Sequence, residues 1–174
     1  MSKVLNDVTD IRQRARQDVE SGAVTPSYSL DPKMVITRLN EALATELVCV
    51  LRYRRHHFMA DGIASEPVAA EFLKHSNEEL GHADRLAKRI RQLGGEPNFN
   101  PDQLTEFSHA EYVEGLDLAE MIKEDVVAER IAIESYREMI SFVGNADSTT
   151  RRMLEEILAV EEEHADELSS LLDK

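Results

Sequence analysis

The sequence predicts an all-α chain folded as an antiparallel four-helix bundle, with one long crossover between its second and third helices and an N-terminal arm. Three observations predict it. Apolar residues recur at alternating steps of three and four along four stretches, the period of an amphipathic helix. Glycine and proline are sparse, 7 and 5 in 174 residues, and they gather where those stretches begin and end. A Glu followed by a Glu-x-x-His unit occurs twice: Glu46 with Glu79 and His82, then Glu129 with Glu161 and His164, separated by 33 and 32 positions within each copy. Such a repeat places a like set of side chains on four facing helices.

Residues 1–30 are polar and of mixed charge, with Arg12, Arg14 and Arg16 answered by Asp7, Asp10, Asp18 and Glu20. They read as an arm with a helical turn or two outside the main core; residues 31–174 read as the bundle. The first long helix opens with Asp31 as N-cap and Pro32 in its first turn. Its inward stripe is Leu39, Leu43, Glu46, Val50, Tyr53 and His57, fading near Asp61-Gly62. The second starts near Ser65, carries Phe72, His75, Glu79, His82, Leu86 and Leu93, and ends at Gly94-Gly95 before Pro97. Residues 95 to about 116 form the longest connection, long enough to join distant ends, with a short helix expected at Gln103–Phe107. The third helix runs from about Asp117 to Val143 along Ile122, Glu129, Ile133, Tyr136, Ile140 and Val143. The fourth begins after Asp147 or Ser148 along Leu154, Ile157, Glu161, His164, Leu168 and Leu171.

The formal charge of −14 argues against nucleic-acid binding by the whole surface and suits a protein that attracts cations. Cys49 is the single cysteine, which excludes a disulfide framework or a CxxC metal site and reads as a small core residue. The N-terminus lacks the apolar run of a signal peptide, and no window is long and apolar enough for a membrane span, so a cytoplasmic location is expected.

The charges on the stripes carry the functional reading. A carboxylate buried without a partner costs several kcal/mol, yet each of the four stripes is broken near its middle by Glu or by Glu and His. No Lys or Arg occupies those stripe positions. Two divalent cations would neutralise four glutamates. Glu and His three residues apart share a helix face, so Glu79 and Glu161 are placed to bridge two ions, Glu46 and Glu129 to cap one each, and His82 and His164 to complete them. Carboxylate and imidazole together suit iron or manganese and also accept zinc. Asp125, one turn before Glu129, is placed to accept the second ring N–H of a metal-bound histidine, His82 in this reading. Tyr53 and Tyr136 are expected to be buried and hydrogen-bonded to ligand carboxylates. His56, His57, His75 and His109 read as surface or secondary-site residues. Gly81, inside the second helix, points either to a close helix approach or to nothing.

The Glu-x6-Tyr segment, the two Glu-x-x-His motifs and Glu129 resemble the ferritin-like superfamily over residues 31 to about 172, most closely bacterioferritins and Dps-like ferritins. The resemblance implies a ferroxidase that oxidises Fe(II) with O2 or H2O2 at two iron ions per subunit, stores ferric mineral in a homo-oligomeric shell and protects against oxidative stress. Bacterioferritins carry a haem-ligating Met directly after the second-helix Glu; Leu80 stands there, so no haem is expected. Only ten residues follow His164, too few for the fifth helix of 24-subunit shells, so a 12-subunit shell is expected. The cysteine pair of thioferritins is absent, the third helix having Ile131 and Ile140. Two rival readings are a non-storing di-metal peroxidase or catalase of rubrerythrin or manganese-catalase type, and a Dps-type protein that binds DNA through its arm.

Overall fold

The computed structural model describes residues 7–62 and 65–172. Every regular element among them is helical: α1 (Val8–Arg14), α2 (Pro32–Met59), α3 (Ser65–Gln92), α4 (Leu104–Phe107), α5 (Leu118–Val143) and α6 (Ser148–Leu172), with short 3-10 turns at Val19–Ser21 and Pro101–Gln103. Helices α2 and α3 pair along their length, as do α5 and α6; α4 packs on α2 from within the crossover. The two hairpins face each other through α2 against α5 and α3 against α6, the predicted bundle.

Local chemistry sets the helix ends. Asp31 accepts from the Lys33 amide at 2.9 Å to cap α2, and Asp117 accepts from the Glu120 amide at 2.9 Å to cap α5. Helix α3 stops where Gly94 turns to φ +84° and Gly95 comes up against Ile36, whose side chain leaves no room for a Cβ at residue 95. No heavy atom approaches the place a Cβ on Gly81 would take, so no neighbouring helix within the chain explains that glycine.

The arm departs from expectation at its C-terminal end. Helix α1 buries nothing, but Val24, Tyr28 and Leu30 pack against the core between the two hairpins. Tyr28 donates to Asp147 Oδ2 at 2.9 Å. Asp147 also caps α6, accepting from the Thr150 amide at 2.9 Å, and pairs with the buried Arg89 at 2.9 and 3.0 Å. One carboxylate therefore ties arm, α3 and α6 together. Removing it strands a buried guanidinium and an uncapped helix, so Asp147→Ala is expected to cost about 3 kcal/mol. Tyr28→Phe, which loses one neutral donor, is expected to cost about 1 kcal/mol. Urea unfolding of both variants tests that ranking.

Apolar packing falls into two main clusters. One contains Leu39, Leu43, Leu86, Ile90, Tyr136, Met139, Leu154 and Ile157; the other contains Cys49, Tyr53, Phe72, Met121, Ile122 and Leu168. In sequence, the polar stripe residues fall between members of the two clusters on all four helices. The six repeated Glu and His residues thus lie at the waist of the bundle, between two apolar clusters. The α2 stripe is rotated from the predicted one by about one position at its C-terminal end: His56 is fully buried, while His57 is only partly so and bonds the Ala69 carbonyl at 2.8 Å.

Candidate metal centre

Six side chains singled out by the repeat meet at the waist of the bundle. Glu46 comes from α2, Glu79 and His82 from α3, Glu129 from α5, Glu161 and His164 from α6, and none is more than 5% exposed. They form two sets whose ligand atoms lie within 4.8 Å of one another: Glu46, Glu79, His82 and Glu161, and Glu79, Glu129, Glu161 and His164. Glu79 and Glu161 belong to both. Each histidine turns Nδ1 inward. His82 Nδ1 stands 2.8 Å from Glu161, 3.1 Å from Glu79 and 3.5 Å from Glu46. His164 Nδ1 stands 3.3 Å from Glu79, 3.7 Å from Glu161 and 3.9 Å from Glu129.

The Glu-x6-Tyr spacing acquires a meaning that the sequence only half conveys. Tyr53 on α2 donates to Glu129 on α5, and Tyr136 on α5 donates to Glu46 on α2. Seven residues are two helical turns. Because the two helices run antiparallel, each tyrosine lands beside the other helix's glutamate. Each outer carboxylate is thereby fixed by one hydrogen bond and keeps its remaining lone pairs for a ligand.

Protonation follows from crowding. Burial first, and then the charge of Glu79, push the Glu46 and Glu161 carboxyls well above the usual carboxylate range and push Glu129 up to about 7. Burial alone would raise Glu79 too, but the facing Glu46 carboxyl and the neighbouring His164 and His82 imidazoles hold it well below that range. Burial disfavours the charged imidazoles, yet the surrounding carboxylates prevail, raising His82 strongly and His164 to about 9. Without a cation the site is a cage of shared protons. Even so, no well-aligned hydrogen bond reaches Glu79 Oε1, Glu161 Oε1 or His164 Nδ1, all buried: His164 Nδ1 approaches Glu79 Oε1 at 3.3 Å and His82 Nδ1 approaches Glu161 Oε1 at 2.8 Å, both misdirected. Orphaned atoms of this kind on the two shared carboxylates, in an all oxygen and imidazole donor set, fit a pair of divalent ions.

Asp125 corrects one expectation. It does not reach His82. It is fully buried and accepts from Arg52 Nε and His56 Nδ1, each at 2.8 Å. Arg52 further donates to the Glu111 carbonyl at 2.9 Å, and the second ring nitrogen of His56 lies 3.1 Å from the Glu114 carbonyl. Buried arginines do lie at the stripes, Arg52 beside Tyr53 on α2 and Arg89 on α3 between Leu86 and Leu93, though both are paired away from the six-residue centre, and the triad of Arg52, His56 and Asp125 pins the crossover to α2 and α5. The outer partner of a site histidine is a residue the sequence reading passed over: Glu78 stands 2.8 Å from His164 Nε2 and can accept its proton. The repeat marks this asymmetry, since Glu78 precedes Glu79 where Val160 precedes Glu161. Of the four histidines outside the repeat, His56 and His75 are fully buried, while His109 is exposed.

A family model described as ferritin-like domain matches residues 36–174. The bacterioferritin of Brucella melitensis is 32% identical over 144 residues, covering 82% of this chain and 84% of its own. The dodecameric thioferritin of Bacteroides fragilis, a bacterioferritin-related protein, superposes with a TM-score of 0.80 at 34% identity, covering 83% of this chain and 87% of its own. A ferritin-like diiron-carboxylate protein of Bacillus anthracis superposes with a TM-score of 0.73 at 30% identity, covering 83% and 99%.

Proposed function

Since this chain belongs to the ferritin-like domain family, we propose that it is a ferroxidase and iron-storage protein. In this reading Glu46, Glu79, His82, Glu129, Glu161 and His164 hold two Fe(II) ions per subunit as substrate. The observation that carries the reading is the sharing of Glu79 and Glu161 between two adjoining ligand sets. Two ions in adjoining sets give up two electrons together, 2 Fe(II) → 2 Fe(III) + 2 e⁻. That matches H2O2 + 2 H⁺ + 2 e⁻ → 2 H2O, or O2 + 2 H⁺ + 2 e⁻ → H2O2, with no one-electron release of hydroxyl radical.

The protein's own contribution is placement and charge. Glu79 and Glu161 bridge, and Glu46 and Glu129 cap one ion each. Tyr53 and Tyr136 hold the caps by their hydroxyls. Glu78 accepts the outer ring proton of His164 and fixes the tautomer that leaves Nδ1 free to bind. Four carboxylates against two divalent ions leave the buried centre neutral, so no net charge is stranded in a low-dielectric interior.

Storage requires a shell, and the dodecameric state of the Bacteroides fragilis relative supports a twelve-subunit one here. Native mass spectrometry is expected to give twelve copies. Aerobic or peroxide-driven loading is expected to take up tens or more of iron per subunit. A particle that oxidises iron yet stops at two per subunit would replace storage by the non-storing peroxidase reading. A gel shift of DNA that vanishes on deleting residues 1–30 would add the DNA-binding role.

A further inference from the structure

We propose that the two halves of the centre bind their ions unequally: the half built on Glu129 and His164 fills first and holds its ion more tightly than the half built on Glu46 and His82. Glu78 and His75 position His164, while His82 has no such support among the described residues. The inference rests on the di-metal reading and deepens it.

Most of the centre is matched half for half. Glu79 and Glu161 serve both halves, and each outer carboxylate, Glu129 or Glu46, receives one tyrosine hydroxyl. The match fails behind the histidines. His164 Nε2 stands 2.8 Å from Glu78, and its ring stacks on His75 with 3.9 Å between centroids. In the register of the repeat, Ile157 and Val160 hold the positions of His75 and Glu78. Neither side chain can accept a proton. Among the described residues His82 makes a single hydrogen bond, through Nδ1 to Glu79, and none through Nε2. Its side chain also reaches solvent further, 7% accessible against 1% for His164. A carboxylate on the far nitrogen of a metal-bound imidazole fixes the ring and raises its basicity. Loss of such a partner typically costs about 10- to 100-fold in metal affinity.

The spacing within each half favours the same order. Two ligands about 2.1 Å from a tetrahedral ion stand roughly 3.4 Å apart. His164 Nδ1 lies 3.3, 3.7 and 3.9 Å from Glu79, Glu161 and Glu129, so this half is already open to that size. His82 Nδ1 lies 2.8 Å from Glu161 and 3.1 Å from Glu79, so this half has closed on itself and must open to admit an ion. A site already at its bound spacing loses less binding free energy to rearrangement. The His82 half is therefore the one that exchanges its ion.

The test is calorimetric titration of the assembled protein with Zn(II), joined to anomalous scattering at the zinc edge from crystals loaded to one ion per subunit. Two steps are expected, the first at least about 10-fold tighter, with the single ion beside His164. Glu78→Gln keeps the size of a partly exposed side chain and removes its charge. It is expected to weaken the first step about 10-fold or more and to leave the second nearly unchanged, a selectivity that general loosening of the bundle would not produce. Two ions entering in one step, a first ion beside His82, or a Glu78→Gln variant whose two steps weaken alike would overturn the proposal and leave the di-metal reading standing. A titration in which no ion reaches the six residues would remove that reading, and the proposal with it.

Discussion

Glu79→Ala and Glu161→Ala are each expected to slow Fe(II) oxidation by at least about 100-fold while the particle still assembles, because each removes a carboxylate that belongs to both ligand sets. Stopped-flow absorbance of ferric product against native mass separates chemistry from assembly. The same variants should lose metal-induced stabilisation. A wild type held at 100 times its dissociation constant for Zn(II) gains about 2.7 kcal/mol, and a protein with half its bridge missing gains little of it. Full oxidation rates in both variants would remove the ligand assignment. The pH dependence has a definite sign. Glu46 and Glu161 are pushed up by burial, Glu129 to about 7, and His82 and His164 are raised by their carboxylates. The metal-free site therefore holds protons at neutral pH that ions must displace. Metal affinity is expected to fall as pH drops from about 8 to 6. Titration in buffers of different ionisation enthalpy should register proton release on binding.

Arg52→Ala and Asp125→Ala are expected to destabilise the fold by about 3–5 kcal/mol, the usual consequence of leaving one member of a buried pair uncompensated. Both side chains are almost inaccessible, 1% and 0%. Loss of Arg52 also frees the Glu111 carbonyl and leaves Asp125 with His56 alone. Arg52→Lys should recover only part of the loss, since an ammonium cannot reproduce a guanidinium that bonds Asp125 through Nε and the Glu111 carbonyl through a second nitrogen. Urea unfolding of the three variants measures this. If Arg52→Lys matched wild type, the triad would be acting as a single point contact and not as a clamp on the crossover.

The sequence by itself determined the helices, their order and the six residues that converge. Those features are written in local code: a three-four apolar period, a cap at Asp31, a stop at Gly94-Gly95, and a repeated Glu and Glu-x-x-His on buried stripes. Periodicity states which face of a helix is buried. It does not state which side chain of a neighbouring helix lies opposite, or how far the stripe rotates near an end. Tertiary structure therefore decided the rest. It crossed Tyr53 to Glu129 and Tyr136 to Glu46, turned His56 inward in place of His57, and gave Asp125 to Arg52 in place of His82. It also set Glu78 against His164 and stacked His75 on it. The physical reason is common to all of these. A buried polar atom must find a partner, and the partners lie from 69 to 90 residues away in sequence, on a separate helix. Only the packing of whole helices brings them within hydrogen-bond reach.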